Sequence, residues 1–324
     1  MGKKIRIGVI GAGSFASRRH IPIIVNSQDS ELVALCRRDR EMLRRMAEHF
    51  NCNNTFTDYR EMLDSVEMDA VLIATPHALH YENAKIALKK GLHVLVEKPL
   101  ALRADEAQEI AELAKEKGLV VVVAMNPPFW QHTNYVKKLI ESGEIGEIEE
   151  VSISWVGNAE SVFGLAPMPE NVPGVVPPTI FRGDPKLGGG GHFVDSGSHL
   201  ISELFWATGL NAREVCAIMD DAEFDMRTTA SIKLENGAVC NVTNIGDSKV
   251  ARRIHNIYFG SKGTIFIEGM PFKVIISKPD KEAITVTEAE MPPSQQPVEN
   301  FIGAILGREK PLCSANDGFK VVQT

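Results

Sequence analysis

The chain has 324 residues, 44% of them hydrophobic and 24% charged, with a formal net charge of -7. That length suits about two domains at roughly 150 residues each, and the composition excludes both a disordered chain and the basic footprint of a nucleic-acid binder. Five scattered cysteines with no C-x-x-C pair predict reduced thiols in a cytoplasmic protein. No run approaches 18 apolar residues, so neither a membrane span nor a membrane partner is expected.

The opening "MGKKIRIGVIGAG" has an apolar run that breaks at glycine after six residues. This is too short for a signal-peptide core and reads as a first strand over 5–10. Further strands are predicted over 32–36, 70–74, 93–96 and 119–124, alternating with helices over 14–26, 40–49, 78–90 and 104–117. Near-continuous apolar strands separated by helical crossovers imply a parallel sheet covered on both faces, a doubly wound α/β domain over 1–124.

After Met125 the pattern changes. "NPPFW" breaks the chain and a helix follows over 133–142. Strands over 149–155, 214–219, 228–235, 238–245, 264–267 and 273–277 then follow without regular crossovers. Asn236-Gly237 predicts a two-residue type I′ hairpin. The region 125–324 therefore reads as an α+β domain with a large, mostly antiparallel open sheet. It carries one proline- and glycine-dense segment, "GLAPMPENVPGVVPPTIFRGDPKLGGGGHF", which is either mobile filler or a functional loop.

Gly11, Gly13 and Ala16 form G-x-G-x-x-A directly after the first strand and directly before a helix. Small residues there permit a tight turn and close approach of the backbone to a pyrophosphate, so Gly11, Gly13, Ser14, Phe15 and Ala16 are assigned to a dinucleotide. The second strand ends in "CRRDR" rather than in an acid. Guanidinium groups suit a 2′-phosphate, so Arg37 and Arg38 predict NADP(H) over NAD(H); the plain alternative makes the arginines a solvated helix start with Asp39 as its N-cap. Thr75, Pro76 and His77, after the next strand, are expected near the cofactor, while His80 is expected to pack or cap the following helix.

"VLVEKPL" places Lys98 at the carboxyl end of a parallel strand, the edge where open α/β sheets bind ligands. There it can donate to a substrate oxygen; a surface lysine is the plain alternative. Glu97 either pairs with Lys98 or holds the backbone of the turn. In "FVDSGSHLISELFW" a helix starting near Ser196 would put His199 in its first turn and Asp195 near its cap, both able to face one cleft. Imidazole suits proton exchange near neutral pH, and the carboxylate can bind a substrate hydroxyl or orient the ring; the plain alternative is a capping aspartate and a packed histidine. Arg182 either contacts a polar substrate or lies on the surface. The nine histidines form no H-x-x-x-H or H-E-x-x-H pattern, so no metal is expected.

Taken in order, "GAGSFA", "ATPHALHYENAKIALKKGLHVLVEKPL" and "GGGGHFVDSGSHL" resemble segments of the Gfo/Idh/MocA oxidoreductases, from about Ile5 to Gln323. The resemblance implies a Rossmann domain followed by a domain whose open sheet often joins subunits, hence a homo-oligomer, dimer or tetramer. It also implies NAD(P)-dependent hydride transfer on a sugar, polyol, cyclitol or related small molecule. By position it makes Lys98 the catalytic or substrate-binding lysine, with Glu97 and Lys98 also beside the cofactor. Asp195 and His199 match the catalytic segment with His199 as acid/base, and Pro99 matches a proline often cis. The chain departs where "NPPFWQH" stands in place of a segment that often holds an arginine or lysine, and "ANDGFKVVQT" reads as a last helix cut short. Relatives that cleave glycosides through a bound nicotinamide without net redox, and catalytically silent cofactor-binding regulators, are the alternatives.

Overall fold

A computed structural model describes residues 4–220 and 223–324. The chain forms two compact units. The first holds residues 4–124, 166–189 and 296–323; the second holds 125–165, 190–220 and 223–295 with Thr324.

The first unit begins β1 (Ile5–Ile10), α1 (Ser14–Arg19), α2 (Ile21–Asn26), β2 (Ser30–Cys36), α3 (Arg40–Phe50), β3 (Thr55–Phe56), α4 (Tyr59–Ser65) and β4 (Ala70–Ile73). It continues through α5 (His80–Lys89), β5 (His93–Val96), α6 (Ala104–Lys117) and β6 (Val121–Val123). Its six strands are parallel in the order β3-β2-β1-β4-β5-β6, the strand order of a dinucleotide-binding doubly wound sheet. Val9, Leu72, Val94 and Val122 have no exposed surface, as expected of strands covered on both faces.

Two local differences from the sequence expectations have clear causes. The helix expected over 14–26 is two helices, because Pro22 sits in the first turn of α2 and cannot continue a helix from before it. His20 occupies the break and is buried. β3 and α4 were not expected: two strand residues carry no alternation, and α4 rests on Asp58, whose carboxylate accepts from Arg60 N at 2.7 Å.

The second unit starts with α7 (Gln131–Glu141) and β7 (Ile148–Val156). The short α8 (Pro185–Gly188) belongs to the first unit. The second unit then resumes with α9 (Ser198–Thr208), β8 (Ala212–Met219), β9 (Arg227–Leu234), β10 (Val239–Ile245), β11 (Arg253–Gly260), β12 (Gly263–Gly269), β13 (Lys273–Ser277) and β14 (Ile284–Thr287). Finally, α10 (Pro297–Ile305) and α11 (Ala315–Gln323) return to the first unit. The eight strands run β14-β13-β12-β11-β7-β10-β9-β8, antiparallel throughout except for β7 with β10. Alternation puts Val151, Ile153 and Trp155 of β7 with Ile254, Asn256 and Tyr258 of β11 on the buried face, where α9 packs.

The β9–β10 turn is not type I′. Only Gly237 has positive φ (+91°), Gly237 N donates to Leu234 O at 3.0 Å and Leu234 N donates to Ala238 O at 2.8 Å. Three residues, 235–237, therefore close the hairpin, with glycine at the left-handed position. Asn236 instead uses its amide to donate to Ile148 O at 2.8 Å.

Candidate functional site

In the first unit the glycine turn is tied to the second strand: Gly11 N and Ala12 N both donate to Cys36 O at 3.0 Å. Gly11 has φ +89°, and a Cβ there would lie 2.6 Å from the carbonyl of Ala74, so only glycine fits. Ser14 and Ala16 are buried and Phe15 is exposed. Ser17 Oγ accepts from Val175 N at 3.1 Å, so part of the proline- and glycine-rich segment lies over α1.

Arg37 bends back to this turn, its Nη1 donating to Ala12 O at 3.2 Å. Its Nε is buried with no hydrogen-bond partner among the described residues, and burial pulls its pKa down, with Asp39 pushing the other way. Arg38 is exposed. Asp39 is occupied as the N-cap of α3, accepting from Met42 N at 2.9 Å. The glycine cradle, with the Arg37 guanidinium beside it and Asp39 engaged as a helix cap, suits a dinucleotide.

The E-K-P turn is held from two sides. Glu97 N donates to Ile73 O at 2.9 Å, and the Lys98–Pro99 peptide is cis. Glu97 Oε1 meets His20 Nε2 at 2.6 Å. Burial pushes the Glu97 carboxyl up, but the His20 hydrogen bond and the charges of His20, Lys98 and His80 outweigh it and hold the pKa below the usual carboxylate range. Lys98 is only 8% exposed, which removes the reading as a solvated surface lysine.

His80 is fully buried between two turns, Nδ1 2.6 Å from Pro99 O and Nε2 2.9 Å from Thr75 O. A neutral imidazole donates to one of these carbonyls and an imidazolium to both. Burial is the larger influence and lowers the pKa, against the two carbonyls and Glu97, which raise it. His80 thus joins the T-P segment to the E-K-P turn, a role that helix packing did not suggest. Thr75 Oγ1 donates to Asn83 at 3.1 Å. His77 Nδ1 lies 3.0 Å from Gly188 O with its ring edge-on to Phe181, and Arg182 stacks over Phe181 with its charge felt by Arg18.

In the second unit Asp195 does not stand at a helix cap. Residues Phe193–Gly197 form a widened π turn that runs into α9, whose N-cap is Gly197, and Ser198 Oγ donates to Asp195 O at 3.1 Å. The turn is anchored by Phe193 N donating to Asp225 Oδ1 at 2.7 Å and His192 N donating to Phe224 O at 2.7 Å. Gly191 is needed for contact with the protein itself rather than with a ligand, because a Cβ there would run into the Phe224 carbonyl.

His199 is 8% exposed, and its ring stacks on Trp155 (centroids 6.0 Å, 22°) with Trp130 at 6.4 Å. Trp130 in turn stacks on His132 at 5.3 Å, and burial pushes the His132 pKa down to about 3. "NPPFWQH" therefore brings aromatic rings to this neighbourhood instead of a cation. One turn beyond His199, Glu203 Oε1 accepts from Asn256 Nδ2 at 2.6 Å and from Tyr258 OH at 3.2 Å. Neither the ring stack nor this buried acid has a signature in the sequence beyond hydrophobic spacing.

Among the described residues, no group of three or more His, Cys, Asp or Glu is gathered as metal ligands are, and no helix is long and apolar enough to cross a membrane. The parallel sheet with its glycine cradle and the buried lysine at a strand end define a dinucleotide-dependent oxidoreductase. Comparison with known proteins agrees. The profile of the oxidoreductase family with an NAD-binding Rossmann fold matches residues 5–143, and that of the GFO/IDH/MocA C-terminal domain matches 133–266. The chain belongs to this family and is an NAD(P)-dependent oxidoreductase. It is 30% identical over 277 residues to dTDP-3,4-didehydro-2,6-dideoxy-alpha-D-glucose 3-reductase of Saccharopolyspora spinosa, covering 83% of this chain and 76% of that one. It is 29% identical to D-glucoside 3-dehydrogenase of Escherichia coli, over 64% of this chain and 55% of that enzyme. The fold matches aldose-aldose oxidoreductase from Caulobacter crescentus with a TM-score of 0.81 at 20% identity, over 99% of this chain and 95% of that one.

Proposed function

We propose that the protein reduces or oxidises a carbinol centre of a sugar or a related cyclic hydroxy compound and prefers NADP(H). The observation that carries the reading is Lys98: a buried lysine at the carboxyl end of β5, in a turn braced by His20–Glu97 and by His80. The nicotinamide, when bound, supplies or accepts the hydride. Lys98 donates to the substrate oxygen and stabilises its developing negative charge, and His199 exchanges the hydroxyl proton. Asp195 binds a neighbouring substrate hydroxyl, and Arg182 contacts a polar substrate from the loop segment. The two similar enzymes reported above, whose names place their chemistry at carbon 3 of a sugar, support the substrate class.

The NADP(H) preference rests on Arg37, with Arg38 as an exposed second cation, and on the commitment of Asp39 to a helix cap. Thr75, Pro76 and His77 complete the cofactor's surroundings with the glycine turn. The five unpaired cysteines support a cytoplasmic setting. Val215, Ile218 and Met219 on β8, with Val239 on β10, are exposed apolar residues that support self-association through the second unit's sheet.

A panel of sugars, polyols and cyclitols followed at 340 nm with both cofactors tests the reading. Turnover is expected with NADPH or NADP+ at a higher kcat/KM than with NAD(H). Lys98→Ala and His199→Ala should each lower kcat by two orders of magnitude or more while NADPH still binds. Near-normal kcat in both variants would defeat the mechanism. Product release at constant NAD(P)H would indicate cleavage without net redox.

A further inference from the structure

Around Trp155 the second unit carries polar groups that the fold leaves unused. Asn244 pairs with Trp155 in the β7–β10 ladder, so both sit on the sheet face covered by α9. Asn244 is 1% exposed, yet among the described residues neither its Oδ1 nor its Nδ2 has a hydrogen-bond partner, and the buried Trp155 Nε1 has none either. Such groups are uncommon in a finished core, because an unmet buried donor or acceptor keeps its desolvation cost with nothing to offset it.

Arg252 adds the charge. It lies just before β11, whose Arg253 pairs with Val156 and whose Ile254 pairs with Trp155. Its guanidinium carbon stands 5.0 Å from the Trp155 ring centroid. Among the described residues that ring contact is its one polar or charged interaction, and no carboxylate pairs with it. The residue as a whole is exposed, but its end group is partly dehydrated against the indole, which lowers its pKa with no counter-charge to offset the cost. Along β11 the side chains on the buried face are Ile254, Asn256 and Tyr258, and Arg252 precedes them in the same alternation. Asn256 and Tyr258 hold Glu203, so Arg252 falls toward the His199 end of the helix.

We infer that Arg252, Asn244 and the Trp155 indole form a subsite beside His199 for the anionic group of a sugar derivative, a carboxylate or a phosphate. The donors outnumber the single acceptor, Asn244 Oδ1, as an oxygen-rich anion requires. The flat ring under the guanidinium fixes its plane and leaves its N–H edge for the ligand. This subsite rests on the proposed sugar chemistry and narrows it from neutral polyols to acidic or phosphorylated sugars.

Calorimetric titration of the full chain saturated with NADP+ tests the subsite, using glucose, glucuronate and glucose 6-phosphate. At least one anion should bind tenfold or more tighter than glucose, and which one does so distinguishes carboxylate from phosphate. Arg252→Gln should cut that advantage at least tenfold while leaving glucose binding and the NADPH Kd unchanged; Arg252→Lys should retain part of it. Asn244→Leu, a cavity-neutral change, provides a second variant, and thermal melts verify that each is folded. Equal binding of all three sugars, or equal weakening of all three by Arg252→Gln, would overturn the subsite and leave Arg252 as support for the Trp155 ring. An anion preference with no change at 340 nm for any sugar would count against the redox reading and for the subsite.

Discussion

Among the described residues, no cation acts on the Glu203 carboxyl group. Burial pushes its pKa up to about 7, only partly countered by hydrogen bonds from Asn256 and Tyr258, and its Oε2 has no partner. In the unfolded chain the same group ionises near its ordinary value of 4.5. Between those two values the folded state holds more protons than the unfolded state, so stability falls as pH rises from about 4.5 to about 7. The total is on the order of 3 kcal/mol. Glu203→Gln should remove that loss: the melting temperature of the variant relative to the native chain should climb across pH 5 to 8. A difference independent of pH would show that Glu203 does not titrate in this range. His80 and His20 make a related point about single residues, since each braces the E-K-P turn from a position whose sequence context marks only a helix end.

At the scale of elements, the π turn Phe193–Gly197 decides where Asp195 stands. It replaces the regular helix start that the spacing of Asp195 and His199 suggested, and it is fixed by a backbone approach to Phe224 and Asp225 rather than by its own residues. Burial pushes the Asp225 carboxyl up, with the bonds from Phe193, His192 and Gly191 pushing back, so it serves this turn at some electrostatic cost. Gly191→Ala places a methyl against the Phe224 carbonyl and should displace the turn. Steady-state assays should show kcat reduced tenfold or more, with the NADPH Kd unchanged because the glycine cradle belongs to the other unit. An unaltered kcat would separate Asp195 from the chemistry.

For the whole molecule, chain order and compact unit do not coincide. The first unit takes in residues 166–189 and 296–323 as well as the sheet, so Arg182 and the strap over α1 fold with the nucleotide-binding half. The second unit presents β8 as a long edge strand with Ile218 77% exposed beside Val215 and Met219. Val215 and Met219 lie on one face of the strand and Ile218 on the other, so apolar side chains are exposed on both faces at this edge of the sheet. Light scattering of the native chain should report a dimer or larger, and Ile218→Asp with Val215→Asp should shift it toward monomer without a fall in NADPH affinity. A monomeric native chain at micromolar concentration would defeat the proposed self-association.

The sequence by itself determined the parallel nucleotide-binding sheet, the glycine cradle and the lysine at a strand end. Each is encoded in neighbouring residues: apolar runs set strands buried on both faces, and Gly11 alone tolerates its backbone angle and its contact with Ala74. The larger sheet was legible from alternation, although its turn at Asn236-Gly237 closed differently because Asn236 found a partner 88 residues away in Ile148. The tertiary structure alone decided the rest. His20 reaches Glu97 across 77 residues, His80 reaches Pro99 across 19, and Trp155 gathers His199 from a helix and Arg252 from just before a strand, both far along the chain. Local patterns fix backbone angles and burial, whereas the partner of a buried polar group is whichever distant element the packed core brings within hydrogen-bond reach.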